Sequence, residues 1–335
     1  MNSHDKAADR VCAVGLMSGT SMDGIDIAAI TTDGHRVLER HGGQVYPYPD
    51  RVRAALSDAL ETAWRLAKKT DDLETLGQQI TRLHADAVRA FLADHPKVSP
   101  ALVGFHGHTV LHQPHRGLTW QIGDGQLLAD LTQLPTVWDM RSHDVARGGQ
   151  GAPLACAYHA AIAGQIERPA AVLNLGGVAN VTWIGADADM LAMDCGPANA
   201  LMDMWVEQHG RGRFDESGKG AAAGAVRADV MTTMADNPYF DLAPPKSLDR
   251  LDFDLGPVRS LPYEDGLATL AAFTVEAVWM AQTHFPEPVR TWLVTGGGRH
   301  NPTLMAMLSK RLSAPVKPID EIGFDGDLLE AEAFA

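Results

Sequence analysis

The most restrictive feature of this 335-residue chain is the segment Val14–Asp26, in which an apolar run leads into a loop of glycines, hydroxyl residues and carboxylates. The apolar alternation resumes at Ile25 and Ile27, so the loop is predicted to be the tip of a β-hairpin. A Walker-type phosphate loop would run from a strand into a helix and contain Gly-Lys-Ser/Thr, and the segment has neither feature. The alternative is a tight turn without a ligand.

The residue types in this loop suit the phosphates of a nucleotide. Its glycines can take positive φ without steric cost, its hydroxyl groups can donate hydrogen bonds, and its carboxylates offer hard oxygen atoms to Mg²⁺. The predicted nucleotide contacts here are Gly19, Thr20, Ser21, Met22, Asp23, Gly24, Ile25 and Asp26.

Composition and charge exclude several classes of protein. The formal charge of −14 argues against nucleic acid or an anionic membrane as the main partner. The charged stretch 1–10 and the short apolar run 11–17 do not fit a signal peptide or a membrane span, so we expect a cytoplasmic protein. The three cysteines have no close spacing and fit a reducing compartment better than a disulfide framework or a zinc site.

Strands precede helices in both halves of the chain. A strand meander over 11–48 opens the first half, and a buried strand at 101–105 is followed by a loop. The second half opens with a hairpin turned at Gly176-Gly177, and a strand at 190–193 leads to a helix whose first turn holds Pro197. The predicted helices are 50–68, 71–94, 126–133, 265–284 and 302–312, and the other predicted strands are 118–122, 135–138, 170–175, 178–184 and 291–295.

This pattern predicts two α/β domains, because strands and helices in this order form sheets covered by helices. The length of the chain also favours two domains. We place the first at 1–135, with the loop Gly19–Asp26, and the second at 136–335, with Asp194 and further glycine-rich loops. The two are expected to face each other across an inter-domain cleft.

Four further segments are rich in glycine and polar residues, and each singly is as readily a structural turn as a ligand loop. They are 148–153, 174–180, 194–199 and 295–301. The triple glycine in the last segment suits an adenosine or phosphate that lies against backbone at a helix N-terminus. The predicted nucleotide contacts in this half are Gly176, Gly177, Asn180, Gly296, Gly297 and Gly298.

Asp194 is the predicted catalytic residue. We expect it at the C-terminal end of a strand, beside a helix N-terminus whose dipole favours the ionised carboxylate. An ionised carboxylate can act as a general base toward water or a hydroxyl group. The competing interpretation is an N-cap aspartate that only satisfies backbone N–H groups.

The histidines between 106 and 115 invite a metal-site interpretation, but their cluster contains no cysteine or carboxylate. Contact with a polar ligand is the favoured alternative, and no residue is assigned as a protein metal ligand. Arg141 either clamps a carboxylate or phosphate group or pairs with Asp144.

Together these residues closely resemble the anhydro-N-acetylmuramic acid kinase family, which belongs to the actin-like ATPase and sugar kinase (ribonuclease H-like) fold. The resemblance runs from Gly15 to Ala335. Its motifs are Gly15–Asp26, His106–Thr109, Gln121–Gly123, Asp144–Leu154, Asn174–Asn180, Asp194–Asn199, Pro244–Ser247 and Thr295–Asn301.

The resemblance implies an enzyme of peptidoglycan recycling that converts 1,6-anhydro-N-acetylmuramic acid, ATP and water into N-acetylmuramic acid 6-phosphate and ADP. It implies Mg²⁺ as a cofactor, a homodimer, Asp194 as the base that activates water, and Thr109 and Glu330 as sugar contacts. From its own chemistry, Arg141 is predicted as a further substrate residue. The sequence departs from the family at His108, where glutamine is common, and at Ser142-His143, where arginines are frequent. The chain also ends at 330–335, inside a predicted helix, where family members usually continue.

Two other functions use the same residues. A nucleotide switch of the actin or chaperone type would bind ATP without sugar chemistry and would hydrolyse it slowly whether or not sugar is present. A glycosidase-like hydrolase would need a second carboxylate about 5–10 Å from Asp194.

Overall fold

A computed structural model describes residues 10–19, 21–66, 68–248 and 252–335. The chain divides into two compact units. One ends at Ile162 and also contains Leu328–Ala335, and the other is Ala163–Asp327. We call these the first and the second unit.

The first unit is built on a mixed sheet with the strand order β3-β2-β1-β4-β5, in which β6 also pairs with β4. β1, β2 and β3 form the predicted antiparallel meander, and β4 is parallel to both β1 and β6. Its elements are β1 Val11–Ser18, β2 Gly24–Thr32, β3 Val37–Pro47, α1 Asp50–Thr62, α2 Asp71–Asp94, β4 Leu102–Gln113, β5 Leu118–Ile122, α3 Gly125–Thr132, β6 Thr136–Trp138, α4 Ser142–Ala146, α5 Cys156–Ile162 and α11 Leu329–Phe334.

Helices α1 and α2 bury their apolar faces against one side of this sheet. Helix α2 begins after Thr70, whose side chain accepts the N–H of Leu73, and its first turn carries acidic residues that complement the helix dipole. Ile80, Val88 and Phe91 recur at helical spacing and are almost fully buried. The predicted bounds of α2 are confirmed.

The C-terminal helix α11 packs against the same unit at two glycines, Gly15 of β1 and Gly104 of β4. A methyl group at Gly15 would overlap the carbonyl oxygen of Ala331, and one at Gly104 would overlap that of Phe334. The backbone of α11 therefore contacts the strands directly, which only glycine permits. Leu328, Ala331 and Phe334 complete a small apolar cluster here, together with Met17 and Ala28.

The second unit contains a mixed sheet with the order β11-β10-β7-β8-β9. The nearly all-apolar helix α9 is buried along most of its length and forms the centre of the core. The elements are β7 Ala170–Leu175, β8 Val178–Ile184, β9 Met190–Pro197, α6 Asn199–Gln208, α7 Lys219–Ala223, α8 Ala228–Ala235, α9 Tyr263–Ala281, β10 Thr291–Thr295, α10 Pro302–Arg311 and β11 Val316–Pro318.

The two sheets share one topology. In each, three antiparallel strands form a meander, and the first of them pairs in parallel with a strand that follows later in the chain. That later strand pairs in parallel with one more, β6 in the first sheet and β11 in the second. The predicted α/β class is therefore confirmed, and the hairpin loops β1–β2 and β7–β8 occupy equivalent places.

Several bounds differ from the predicted ones. The unit bounds do not coincide with the predicted domains 1–135 and 136–335, because β6 pairs with β4 and α11 packs on β1 and β2. The predicted loop after 105 is wrong, since β4 continues to Gln113 and pairs with β5. Within the described ranges, no helix is long and apolar enough to cross a membrane.

We expect Gly104→Ala to lower the free energy of unfolding by about 1–3 kcal/mol, because the added methyl group displaces the backbone of α11. Gly164→Ala is the matched control, because Gly164 has no close neighbour at its Cβ position. Its substitution should change the free energy of unfolding by no more than about 0.5 kcal/mol. Urea unfolding of both variants measures the difference. Equal stabilities would show that α11 does not depend on this contact.

Candidate active site

The loop between β1 and β2 is the predicted hairpin tip. The N–H of Met22 donates to the carbonyl oxygen of Gly19 at 3.0 Å and closes the turn. Neither Gly19 nor Gly24 uses the positive φ that glycine allows, and the residue with positive φ in this loop is Met22, at 58°. Gly24 is required for a different reason, since a side chain there would overlap the carbonyl oxygen of Tyr46. Thr20 lies outside the described residues.

A series of hydrogen bonds holds this loop against the rest of the first unit. The N–H of Tyr48 donates to the carbonyl oxygen of Asp23 at 3.1 Å, and its hydroxyl donates to Ser18 Oγ at 2.9 Å. Ser18 Oγ lies 2.8 Å from Nδ1 of His108. Sequence reasoning gave no role to Ser18, which lies inside the motif Gly15–Asp26, or to Tyr48, which follows β3. These contacts fix the loop to β4 and to the end of β3.

His106 and His108 face different neighbours, because Gly107 between them has a φ of 73° and breaks the strand alternation. His106 stacks on Phe334, with ring centres 4.7 Å apart, whereas His108 binds Ser18. Burial lowers the pKa of His108 to about 3 and that of His106 well below its ordinary range. Both rings are therefore neutral at physiological pH.

No group of three or more His, Cys, Asp or Glu side chains is placed to hold a metal ion in the part of the chain that the structure describes. The metal-site interpretation of the histidines between 106 and 115 thus gains no support. His106, His108 and His112 are buried and pack within β4 and against its neighbours, whereas His115 is exposed.

Arg141 donates hydrogen bonds to the glycine-rich segment 148–153 and to His106. Its Nη1 donates to the carbonyl oxygen of Gly151 at 2.6 Å and its Nε donates to Nε2 of His106 at 3.0 Å. Asp144 accepts the N–H of Gly151 at 2.7 Å. Arg141 and Asp144 therefore both fix the glycine-rich segment 148–153.

The structure brings Arg141 close enough to Glu330 for their charges to interact. Burial raises the pKa of Glu330, and Arg141 partly offsets this effect. Thr109, the other predicted sugar contact, accepts a hydrogen bond from Gln121 Nε2 at 3.2 Å. These predicted substrate residues all belong to the first unit.

Asp194 lies inside β9, the edge strand of the second sheet. The expected place at a helix N-terminus is wrong, because β9 continues to Pro197 and α6 begins at Asn199. The N-cap interpretation is also wrong, since Ala198 is the N-cap residue. The N–H of Asn199 donates instead to the carbonyl oxygen of Gly176 at 3.0 Å, which ties α6 to the β7–β8 turn.

The register of the strands sets Asp194 at one end of a polar row. Thr295 of β10 pairs with Asn174 of β7, Asn174 pairs with Asn180 of β8, and Asn180 pairs with Asp194. Side chains that lie opposite each other on paired strands point to the same face of a sheet. Three sequence motifs thus join in one row across four neighbouring strands.

Asp194 is held by a segment that the sequence analysis left without a role. The N–H of Leu248 donates to Asp194 Oδ2 at 2.8 Å, and the hydroxyl of Tyr239 donates to the Asp194 carbonyl oxygen at 2.6 Å. The Asp194 N–H donates to the carbonyl oxygen of Lys246 at 3.0 Å. Only 6% of Asp194 is exposed, so this side chain is buried and fixed.

The triple glycine follows β10 and opens a 3₁₀ turn at Gly297–His300, with α10 after it. Gly296 has a φ of 75°, and Gly298 packs so tightly on Leu175 that a methyl group there would overlap it. Folding alone thus accounts for these two glycines.

Arg299 anchors the same turn. Its side chain is buried and donates to Asp320 at 2.8 Å and to Asp327 at 2.6 Å. Its Nη1 also donates to the carbonyl oxygen of Gly296 at 3.2 Å. The turn is therefore tied to the segment that follows β11.

Each of the three predicted nucleotide loops contains a glycine that folding does not require. They are Gly19, Gly176 and Gly297, which have neither positive φ nor a neighbour closer than 3.6 Å to a Cβ atom built on them. An open Cβ position on a loop lets another molecule approach the backbone closely. The loops can therefore receive a flat or phosphorylated ligand against their N–H groups.

If the predicted nucleotide site is correct, we expect Gly297→Ala to raise the KM for ATP by about tenfold, or about 1.4 kcal/mol, without loss of stability, because its methyl group would occupy the open space at this position. Gly298→Ala should instead lower the free energy of unfolding by about 1–3 kcal/mol, because its methyl group overlaps Leu175. Steady-state kinetics and urea unfolding separate the two effects. The same defect in both variants would contradict this distinction.

Replacement of Glu330 by glutamine should stabilise the ligand-free protein increasingly as the pH rises. Burial raises the pKa of Glu330 in the folded protein above its value in the unfolded chain. The protonated side chain therefore stabilises the folded state below the ordinary carboxyl pKa, and this stabilisation is lost as the pH rises through the raised pKa. Glutamine keeps the neutral form. Thermal unfolding between about pH 5 and about pH 8 measures the effect.

Glu61→Gln is the control for this series, since Glu61 is an exposed carboxylate of the same unit. A Tm difference between Glu330→Gln and the parent that does not change with pH would contradict a raised pKa for the Glu330 carboxyl group.

Solved structures that align with most of this chain include sugar kinases and an activator protein. A glucokinase of the ROK family from Streptomyces griseus, in complex with glucose and AMPPNP, is 15% identical, with a TM-score of 0.40 over 96% of this chain and 98% of that one. The activator of the 2-hydroxyisocaproyl-CoA dehydratase from Clostridium difficile, with bound ADPNP, is 11% identical, with a TM-score of 0.40 over 96% of this chain and 95% of that one.

Sequence relatives are far more similar. An anhydro-N-acetylmuramic acid kinase of Paramagnetospirillum magneticum is 49% identical over 328 residues, which are 96% of this chain and 90% of that one. Another, of Rhizorhabdus wittichii, is 46% identical over 332 residues, 97% of this chain and 91% of that one. The sequence model of this family matches residues 11–335. A match over nearly the whole chain shows that the chain belongs to the anhydro-N-acetylmuramic acid kinase family.

Proposed function

We propose that the protein phosphorylates 1,6-anhydro-N-acetylmuramic acid with ATP and opens its anhydro ring with water, giving N-acetylmuramic acid 6-phosphate and ADP in peptidoglycan recycling. The observation that carries the proposal is the fixed, buried carboxylate of Asp194 at the end of a polar row, in a chain of this kinase family. Asp194 is the general base.

In the proposed reaction, Asp194 takes a proton from a water molecule while the water oxygen attacks the anomeric carbon of the sugar. The bond from this carbon to O6 breaks, and O6 attacks the γ-phosphorus atom of ATP. ADP then leaves, and the product has gained one phosphate group and one water. The Leu248 N–H on Oδ2 supports this role, because a donated hydrogen bond favours the ionised carboxylate.

The nucleotide is assigned to the three glycine-bearing loops. Gly19–Asp26 hold the phosphates, and Gly176, Gly177, Asn180 and Gly296–Gly298 hold the rest of the nucleotide. The open Cβ positions at Gly19, Gly176 and Gly297 support this assignment. Phosphoryl transfer relies mostly on positioning and charge neutralisation, which loops with many N–H donors can provide.

The residues at the first loop suit Mg²⁺. Asp23 is exposed on the loop, and Asp26, three residues later, is partly buried near the start of β2. Mg²⁺ commonly binds through one or two carboxylates, phosphate oxygens and waters, so these two side chains would hold it. When bound, the ion neutralises charge on the phosphates.

The sugar is assigned to Thr109, Arg141 and Glu330. A guanidinium group pairs well with a carboxylate, so Arg141 is the proposed partner of the lactyl carboxylate. Neutral His106 next to Arg141 adds no positive charge for this carboxylate. Ser142 and His143, where the family often has arginines, add no guanidinium group. Following the resemblance, we also propose a homodimer and a cytoplasmic location, where ATP is available.

Incubation of the protein with Mg-ATP and 1,6-anhydro-N-acetylmuramic acid should release ADP and yield a sugar heavier by one phosphate and one water. Asp194→Asn should lower kcat by about 10²–10⁴-fold, the usual contribution of a general base, and should leave ATP binding unchanged. Coupled ADP assays and mass spectrometry measure both results.

A reaction without sugar is the control. ADP release that does not depend on sugar would favour a nucleotide switch and contradict the proposed reaction. Undiminished turnover by Asp194→Asn would remove Asp194 as the base.

A further inference from the structure

The motif Pro244–Ser247 has no role in the proposed reaction, yet it places a buried lysine beside the proposed base. Only 5% of Lys246 is exposed. Lysine is rarely buried to this extent unless partners satisfy its ammonium group, because the loss of hydration is costly. The partners of Lys246 therefore indicate what its burial achieves.

The ammonium group of Lys246 binds backbone carbonyl groups a few residues earlier in the chain. Nζ donates to the carbonyl oxygen of Tyr239 at 3.2 Å and to that of Phe240 at 3.3 Å. It also lies 4.6 Å from the centre of the Tyr239 ring, within range of a cation–π interaction. Residue 246 is thus bound to the 3₁₀ turn Pro238–Asp241, and the chain between them is held as a closed loop.

The two ends of this closed loop, with Leu248, provide all three contacts to Asp194 described above. They bind its N–H, its carbonyl oxygen and its carboxylate Oδ2. β9 is an edge strand, and an edge leaves backbone groups unpaired unless something covers it. The segment 239–248 covers the edge at Asp194 and sets the direction of its side chain.

We propose that Lys246 is a positioning residue for the catalytic base. Its ammonium group keeps residues 239–248 folded around Asp194, so that the Leu248 N–H remains on Oδ2 and the carboxylate keeps the orientation in which it deprotonates water. The inference rests on the proposed function, in which Asp194 is that base. ATP binding does not require Lys246, because other loops hold the nucleotide.

The test is Lys246→Met, which keeps an unbranched stem of similar length and removes the ammonium group. Because a displacement of about 1 Å at a reacting group can cost about 100-fold in rate, we expect kcat to fall by about 10- to 100-fold. The KM for ATP should stay within about threefold of the parent value, because the substitution does not alter the loops proposed to bind ATP. Lys310→Met, at an exposed lysine of α10, is the matched control and should leave both constants unchanged.

A double variant separates positioning from a general loss of structure. If Lys246 acts through Asp194, Lys246→Met in the Asp194→Asn background should lower the residual kcat by less than about twofold. Equal losses in both backgrounds, or a KM for ATP that rises as far as kcat falls, would overturn the inference. Parent-like kcat in the single Lys246→Met variant would also overturn it.

Tyr239→Phe tests the same segment if Lys246→Met does not fold. It removes the hydroxyl group from the Asp194 carbonyl oxygen and keeps the ring beneath Nζ. We expect kcat to fall by about 3- to 10-fold, the usual effect of one lost hydrogen bond, with the KM for ATP unchanged. An unchanged kcat would contradict the inference, whereas full activity of the single Asp194→Asn variant would refute the proposed base instead.

Discussion

The first unit depends on a contact between backbones. Helix α11 lies on β1 and β4 where Gly15 and Gly104 leave no side chain between them. This approach places Phe334 on His106, and His106 in turn accepts a hydrogen bond from Arg141. Arg141, one of the proposed sugar residues, is thus linked to this backbone contact through His106 and Phe334.

The sequence predicted the fold class, the two glycine-tipped hairpins and most elements, because periodicity and turn residues are local signals. It failed where a distant contact decides the structure. The extent of β4 depends on its pairing with β5 and on the bulge at Gly107. The place of Asp194 inside β9 depends on strand pairing with Asn180 and on cover by the segment 239–248, neither of which leaves a pattern near residue 194.

The candidate site was predictable in its parts and not in its arrangement. The motifs named Asp194, Asn180 and the glycines, but only the register shows that Thr295, Asn174, Asn180 and Asp194 share a row. Packing also shows that Gly298 is explained by Leu175 and Gly297 is not. Three cations near the motifs, Arg141, Lys246 and Arg299, bind backbone carbonyl groups. An acidic protein therefore uses part of its positive charge to fix its own loops.

The order of the units along the chain affects how the protein forms during synthesis. All of Ala163–Asp327 emerges from the ribosome after the first sheet and before α11. Until α11 arrives, the faces of Gly15 and Gly104 have no helix to contact, and contacts between such distant segments form slowly. The second unit has its own core and can fold in this interval. Glu330 therefore reaches its place only after the second unit has emerged, so a nascent chain acquires the proposed set of sugar residues late in synthesis.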